Sequence, residues 1–469
     1  MEHLRYDVVV VGCGIAGLAA GLRLAERNRS VAILEKAPKE RRGGHTRFTE
    51  SFRIPTADID LDVEFNVADY TASNFYSDIM KVTDFRADPD LVSVVTGEAA
   101  ATFEWLTEKG VSWEFQAPHP GYTAGRVWLD GAEMIDELVD AIAAEPATVD
   151  VHYRAEARDF VRSDDGSVTG VIGFVDGTRT RFDADAVVLA AGDYGSSKEK
   201  RTRYYGPGYG NMKVRGSRYN TGETLEAAMA VGAKSEGEWG DAHMAIIDAG
   251  SPDVEGGITR IDGYQYGVIL NHDGERFVDE GEDARAHTYA KFGRRIFEQP
   301  YHEAFIVVDS TVVDDVAHMG PTRPITADSI ETLARRLDIE NVDRAVETVA
   351  AYNEACDPAA PERYDPNRLD GNAAETVDPP KSNWALALDE PPFTGYPVTG
   401  GMTFAFGGVA ITPDAEVLDT TDTVIPGLYA AGNSTGGIFY RNYPGGTGLT
   451  AAAVFGWVAG DRAADDVAE

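Results

Sequence analysis

"DVVVVGCGIAGLAAGLRLAERNRSVAILEK", Asp7 to Lys36, reads as one complete β-α-β unit. Asp7–Val11 is a β-branched run of the kind buried on both faces of a parallel sheet. Ile15–Glu26 then carries apolar residues at helical spacing, and Val31–Leu34 returns as a second strand. Between the first strand and the helix lie Gly12, Gly14 and Gly17, a G-x-G-x-x-G run in the context that makes it informative. Gly12 serves the tight turn, Gly14 lets backbone approach a pyrophosphate, and Gly17 lets helix and strand close up. The helix N-terminus adds free N–H groups and positive partial charge. Glu35 ends the second strand about 20 residues past Gly14, where a carboxylate meets ribose hydroxyls. Triplet, strand, helix and acid together predict a dinucleotide site.

Working outward, apolar strands are expected at Gly170–Val175, Asp185–Gly192 and, near the end, Gly427–Gly432. From about Gly237 to Met402 the texture changes. Tyr266–Glu280 reads as a hairpin around an Asp-Gly turn, Ser329–Cys356 as helical, and the proline-rich Asp378–Pro397 as a return connection. The expected fold class is α/β, a Rossmann-like FAD-binding domain formed by both chain ends with an inserted α+β capping domain. Its boundaries are placed at 1–236, 237–402 and 403–469. No second glycine fingerprint accompanies the first, so a flavin held by both chain ends is favoured over a flavin plus nicotinamide pair.

The 469 residues suit two or three domains, and a hydrophobic fraction of 43% supports full cores. The 78 Asp and Glu against 42 Lys and Arg leave a net charge of −36. Such a field repels phosphate, which argues against nucleic acid and anionic membranes as partners. Acid spread over the whole chain fits a halophile's cytoplasmic protein, soluble where salt screens repulsion. Two cysteines, Cys13 and Cys356, provide no disulfide framework, no metal site and no iron–sulfur ligand set. Neither a signal peptide nor a membrane-spanning segment is expected from the sequence.

Several motifs together resemble the FAD-dependent fumarate reductase and succinate dehydrogenase flavoprotein family. They are "VVVGCGIAGLAA", "GGHT" (Gly43–Thr46), "AVVLAAGDY", "NTGETLEAAMAVGA" (Asn220–Ala233), "GERFVDE" and "IPGLYAAGNSTGG". Within that family, "RGGHTRFTESFR", "GYQYGVILNHDGERFVDEGED" and "PPKSNWA" are most similar to the tricarballylate dehydrogenase branch. The resemblance implies FAD as cofactor and hydride transfer between a substrate carbon and flavin N5. It implies a small-molecule substrate, a polycarboxylate, and a separate acceptor protein or quinone-linked partner for the electrons. It also implies FAD contacts at Gly12, Gly14, Ile15, Ala16, Gly17, Glu35, Lys36, Gly43, Gly44, His45, Thr46, Ala191 and Gly192. Late in the chain it adds Gly432, Asn433, Gly446, Gly448 and Leu449.

The resemblance also nominates reacting groups, each of which has a structural alternative. His243 lies near a carboxylate-binding histidine of the family, or is a buried histidine at a strand. Arg294 falls where a proton-shuttling arginine belongs, with Arg285 and Arg295 as rivals; a surface ion pair is the alternative. His45 matches the histidine that succinate dehydrogenases link to FAD, or packs beside the flavin unlinked. Phe404 stands where the fumarate reductases have a second histidine. Tyr443 replaces their arginine, and its "YPGG" setting is also similar to 3-ketosteroid dehydrogenases. Arg441 reaches the substrate only if its loop bends. Besides a polycarboxylate enzyme, two readings stay open: an enzyme on an apolar enone, and an electron-transfer subunit without a small-molecule substrate.

Overall fold

In the computed structural model, which describes residues 2–61, 63–118 and 124–467, the chain folds as two units. The first comprises Met1–Gln116, Gly125–His243 and Thr403–Glu469; the second comprises Ala117–Ala124 and Met244–Met402. The elements that position the site are β1 (Val8–Val11), α1 (Ile15–Glu26), β2 (Val31–Glu35), β3 (Ser51–Arg53), β4 (Arg126–Trp128) and β5 (Val149–Tyr153). They continue with β6 (Ala186–Leu189), β7 (Ser235–Asp248), α2 (Tyr289–Phe297), β8 (Phe393–Val409), β9 (Glu416–Leu418), β10 (Val424–Ala430) and α3 (Thr447–Asp466).

The first unit is built on a six-stranded sheet in the order β9-β10-β6-β1-β2-β5. All its neighbours run parallel except the β9–β10 edge pair. Val8, Val9 and Val10 are fully buried, as a strand covered on both faces must be. β10 comes from the far end of the chain yet pairs with β6, Val187 against Leu428. The two chain ends therefore complete one sheet, the Rossmann-like arrangement expected. Helices α1 and α3 approach to backbone contact: a Cβ at Gly456 would lie 2.3 Å from the Ala16 carbonyl oxygen.

The second unit has an antiparallel sheet in which Glu303–Val308 lies between the start of β8 and Val268–Leu270. Two helices, Ile330–Arg336 and Val342–Ala355, pack their Leu333, Leu337, Val349 and Tyr352 with Val268, Phe305 and Phe393 in one core. The helical reading of Ser329–Cys356 holds with a break, where Asp338 takes a left-handed φ of 56°. Ser329 and Asn341 cap the two pieces through Thr332 N–H and Arg344 N–H.

The hairpin expected over Tyr266–Glu280 is only partly formed. The turn exists, with Gly274 N–H donating to Asn271 O at 3.0 Å, but the return arm reduces to a single bridge, Leu270 to Arg276. The reason is local: Glu280 Oε1 accepts the Ile269 N–H at 2.8 Å. A buried carboxylate thus takes the ladder donor that a second strand would have used, and Arg276 turns to pair with that carboxylate at 2.5 Å.

Candidate active site

The nucleotide end of the first unit is assembled by the loop after β1. Gly12 has φ 112°, and a Cβ there would sit 2.2 Å from the Ala190 carbonyl oxygen, so only glycine fits. Gly14 differs: its added Cβ would meet only Thr46 Oγ1 at 3.2 Å and the Gly43 carbonyl at 3.4 Å. That side of the loop is open to a ligand. The N-terminus of α1 has no side-chain cap from Gly14 and no acid in its first turn; the Ile15 N–H donates to Thr46 Oγ1 at 3.1 Å. Thr46 thus ties "GGHT" to the helix that faces the pyrophosphate. Thr46→Val removes this acceptor, and FAD affinity is expected to fall roughly fivefold to tenfold, one net hydrogen bond. Titration of apoprotein with FAD reads this directly, and an unchanged Kd refutes it.

Glu35 is buried and bonded on both oxygens to backbone, Oε1 to Ala37 N–H at 2.7 Å and Oε2 to Gly43 N–H at 3.3 Å. Burial raises its carboxyl pKa, with those amides, the Cys13 amide and the Lys36 cation opposing. Its first task is to shape the Gly43 turn. Lys36 is engaged within the chain: Nζ lies 2.7 Å from Thr221 Oγ1, 3.1 Å from Glu223 and 3.3 Å from Glu156. His45 accepts the Ser217 N–H on Nδ1 at 3.0 Å and turns Nε2 toward the buried Asp193, 3.4 Å away. Gly192 has φ 78°, and Gly44 has φ 54°. Across the sheet, Gly432, Asn433 and Gly448 share a pocket with Phe404, Phe406 and Phe439, and Leu449 is buried behind it. An open glycine loop and an uncapped helix end suit the phosphates of FAD.

Beside that pocket β7 and the Tyr443 loop meet. His243 and Tyr443, 3% and 5% exposed, stack with ring centres 4.6 Å apart at 23°. Phe404 stands edge-on to both, at 5.4 Å and 5.2 Å, and Phe439 closes on Tyr443 at 5.3 Å. The Gly448 N–H, in the first turn of α3, donates to Tyr443 Oη at 3.2 Å. The phenol oxygen is the acceptor in that bond, so its own O–H points elsewhere. Burial raises the Tyr443 pKa; the Gly448 amide and the nearby Arg53 and Arg126 cations oppose it.

Arg441 does not join this cluster. Its N–H donates to Glu238 at 2.9 Å, its guanidinium pairs with Asp84, and the side chain is 58% exposed. Those two acidic partners hold the side chain outward, although the backbone turns at Arg441 with a φ of 58°. In the second unit, Arg294 is on α2 with Nε 3.3 Å from Glu298, side chain 28% exposed. Arg285 is buried, paired with Asp262 and lying 4.4 Å over the Tyr289 ring. Asp262 also takes Arg260 Nε at 2.5 Å, and the two arginines hold its carboxyl down to about 2 despite burial. The sequence reading missed Arg53 and Arg126 altogether. Two arginines so far apart in the chain carry no local signal, since only strand pairing makes them neighbours.

Comparison with known proteins agrees with this architecture. The FAD binding domain family matches residues 7–449. Vinyl phenol reductase of Lactiplantibacillus plantarum is 26% identical over 95% of this chain and 93% of its own. The cytochrome-type fumarate reductase of Shewanella frigidimarina is 27% identical over 98% of this chain and 77% of its own. Among solved structures, the 3-ketosteroid Δ4-(5α)-dehydrogenase of Rhodococcus jostii RHA1 overlays with a TM-score of 0.74 at 21% identity, covering 99% and 98% of the two chains.

Proposed function

Since the chain belongs to the FAD binding domain family and is an FAD-dependent oxidoreductase of CH–CH groups, we propose that its substrate is a polycarboxylate of the tricarballylate type. The observation that carries this reading is the Tyr443 hydroxyl. Its oxygen accepts from Gly448 N–H, which orients its O–H as a donor, and two arginine cations raise the potential around it. A group so placed selects an oxygen bearing negative charge.

When bound, FAD supplies the two-electron redox chemistry that these side chains lack. Tyr443 binds and orients a substrate carboxylate or carbonyl oxygen. His243, stacked on its ring, fixes the orientation of that ring and presents an imidazole edge to the substrate. Phe404 and Phe439 keep the surroundings dry, which strengthens each polar contact. For the proton, the family resemblance nominates one of Arg285, Arg294 and Arg295; Arg285 is buried and paired with Asp262, whereas the Arg294 side chain lies partly in solvent. Arg285→Lys is expected to lower kcat about tenfold or more, one charge-assisted hydrogen bond's worth. Arg294→Gln should stay within about twofold, the scale of an exposed ion pair. Solvent isotope effects on kcat in both variants, with flavin content and melting temperature as controls, check the ranking; the reverse order returns the role to Arg294. The electrons are expected to pass to a separate acceptor protein or quinone-linked partner; within these 469 residues two cysteines supply no iron–sulfur ligand set.

A second reading, an apolar enone substrate, is favoured by the aromatic wall of Phe404, Phe406 and Phe439. Turnover of tricarballylate, succinate and a 3-ketosteroid with an artificial electron acceptor separates the two. The polycarboxylate reading expects tricarballylate to exceed the steroid in kcat/KM by at least about tenfold; turnover of the steroid alone rejects it.

A further inference from the structure

Strands β3 and β4 pair antiparallel with Arg53 directly opposite Arg126. Like charges facing each other across a strand pair are destabilising, and both residues are buried, at 0% and 3% exposure. The Arg53 guanidinium is fixed on two edges. Nε donates to the Gly445 carbonyl at 2.8 Å, and Nη1 donates to Tyr70 Oη and to Asp78, each at 2.8 Å. Its third corner, Nη2, is buried and has no hydrogen-bond partner among the described residues. A buried charged donor left in that state is costly unless a ligand completes it.

The same two arginines clasp the turn that carries Tyr443. Gly446, the left-handed residue before α3, has Arg126 Cδ and Arg53 N each 3.1 Å from where a Cβ would stand. Thr450 on α3 accepts the Arg53 N–H at 3.1 Å and donates back to the Arg53 carbonyl at 2.7 Å. Helix α3 starts there with no side-chain cap and no acid in its first turn. The Tyr443 phenol feels the charge of both arginines. Both arginines thus pack against the turn that joins Tyr443 to α3.

We propose that Arg53 and Arg126 form a carboxylate-binding subsite beside Tyr443. Arg53 Nη2 and the Arg126 guanidinium hold one substrate carboxylate, and Asp78, on the Nη1 edge, orients the Arg53 fork and tempers its charge. The subsite adds formal positive charge beside the hydrogen bond that the neutral Tyr443 hydroxyl donates. Its ligand class rests on the polycarboxylate reading above.

The test uses FAD-loaded protein titrated with tricarballylate and with succinate, read by flavin absorbance. Arg126→Gln and Arg53→Lys are each expected to raise Kd by about tenfold or more. Asp78→Asn should lower it severalfold, since a competing negative charge is removed; a purely structural role for this cluster moves Kd the other way or not at all. Unchanged Kd in Arg126→Gln and Arg53→Lys overturns the subsite. If those variants fail to retain FAD, the sign of the Asp78→Asn effect decides. Should wild type turn over only a steroid while succinate still perturbs its flavin, and not that of Arg126→Gln, the subsite stands and the substrate reading falls. Polycarboxylate oxidation at unaltered kcat and KM in the arginine variants overturns the subsite and leaves the substrate reading standing.

Discussion

Tyr443→Phe is expected to lower kcat by roughly 10²–10³-fold, the loss typical of one preorganised donor at a developing charge. Flavin content should remain that of wild type. The substitution keeps the ring that stacks on His243 and meets Phe404 and Phe439 edge-on; it deletes only the hydroxyl. The Gly448 N–H loses its acceptor, a cost of about 1 kcal/mol that a melting curve can register. pH adds a second signature. Burial holds the phenol pKa above its ordinary value of 10.0, so the hydroxyl stays a donor throughout the neutral range. Wild-type activity should therefore show no loss attributable to this group until the pH passes that value, and the alkaline limb should vanish in the variant. Full activity in Tyr443→Phe would reduce the residue to an aromatic wall.

The largest effect on stability is expected at Asp262. Replacing it by Asn leaves Arg260 and Arg285 buried without the carboxylate that holds both, and removing one partner of a buried ion pair costs about 3–5 kcal/mol. For a unit of this size that lowers Tm by about 10 °C. The pH dependence has a definite sign. The folded carboxyl titrates near 2, below its ordinary 3.8. Its contribution is therefore complete above 3.8 and is lost as pH falls from 3.8 toward 2. Acid unfolding of wild type should steepen in that window, and the variant should lack this component. Calorimetry from about pH 2 to about pH 5 measures both; identical acid limbs would show that the charge is balanced elsewhere.

Legibility in the sequence follows the range of the interactions. The strand from Val8, the helix Ile15–Glu26 and the strand from Val31 are readable to within a residue, because β-branched runs, helical spacing and the glycine turn act over a few positions. The hairpin after Tyr266 is misread although its Asp-Gly turn is real. The Glu280 carboxylate, well beyond that turn, captures the Ile269 amide, and no local pattern announces such a competitor. Arg441 illustrates the same limit: it lies close to Tyr443 in the chain, but Asp84 and Glu238 hold it at the surface.

The sequence by itself determined the cofactor class and the sheet that carries it, since a phosphate-binding turn is a local backbone requirement that glycine alone meets. Only the tertiary structure decided which charges stand beside the reacting groups. The facing of Arg53 and Arg126, the stacking of His243 on Tyr443 and the sharing of Asp262 by two arginines all arise from strand pairing and chain return. Electrostatic fields depend on distance in space, and that distance exists only once the chain has closed.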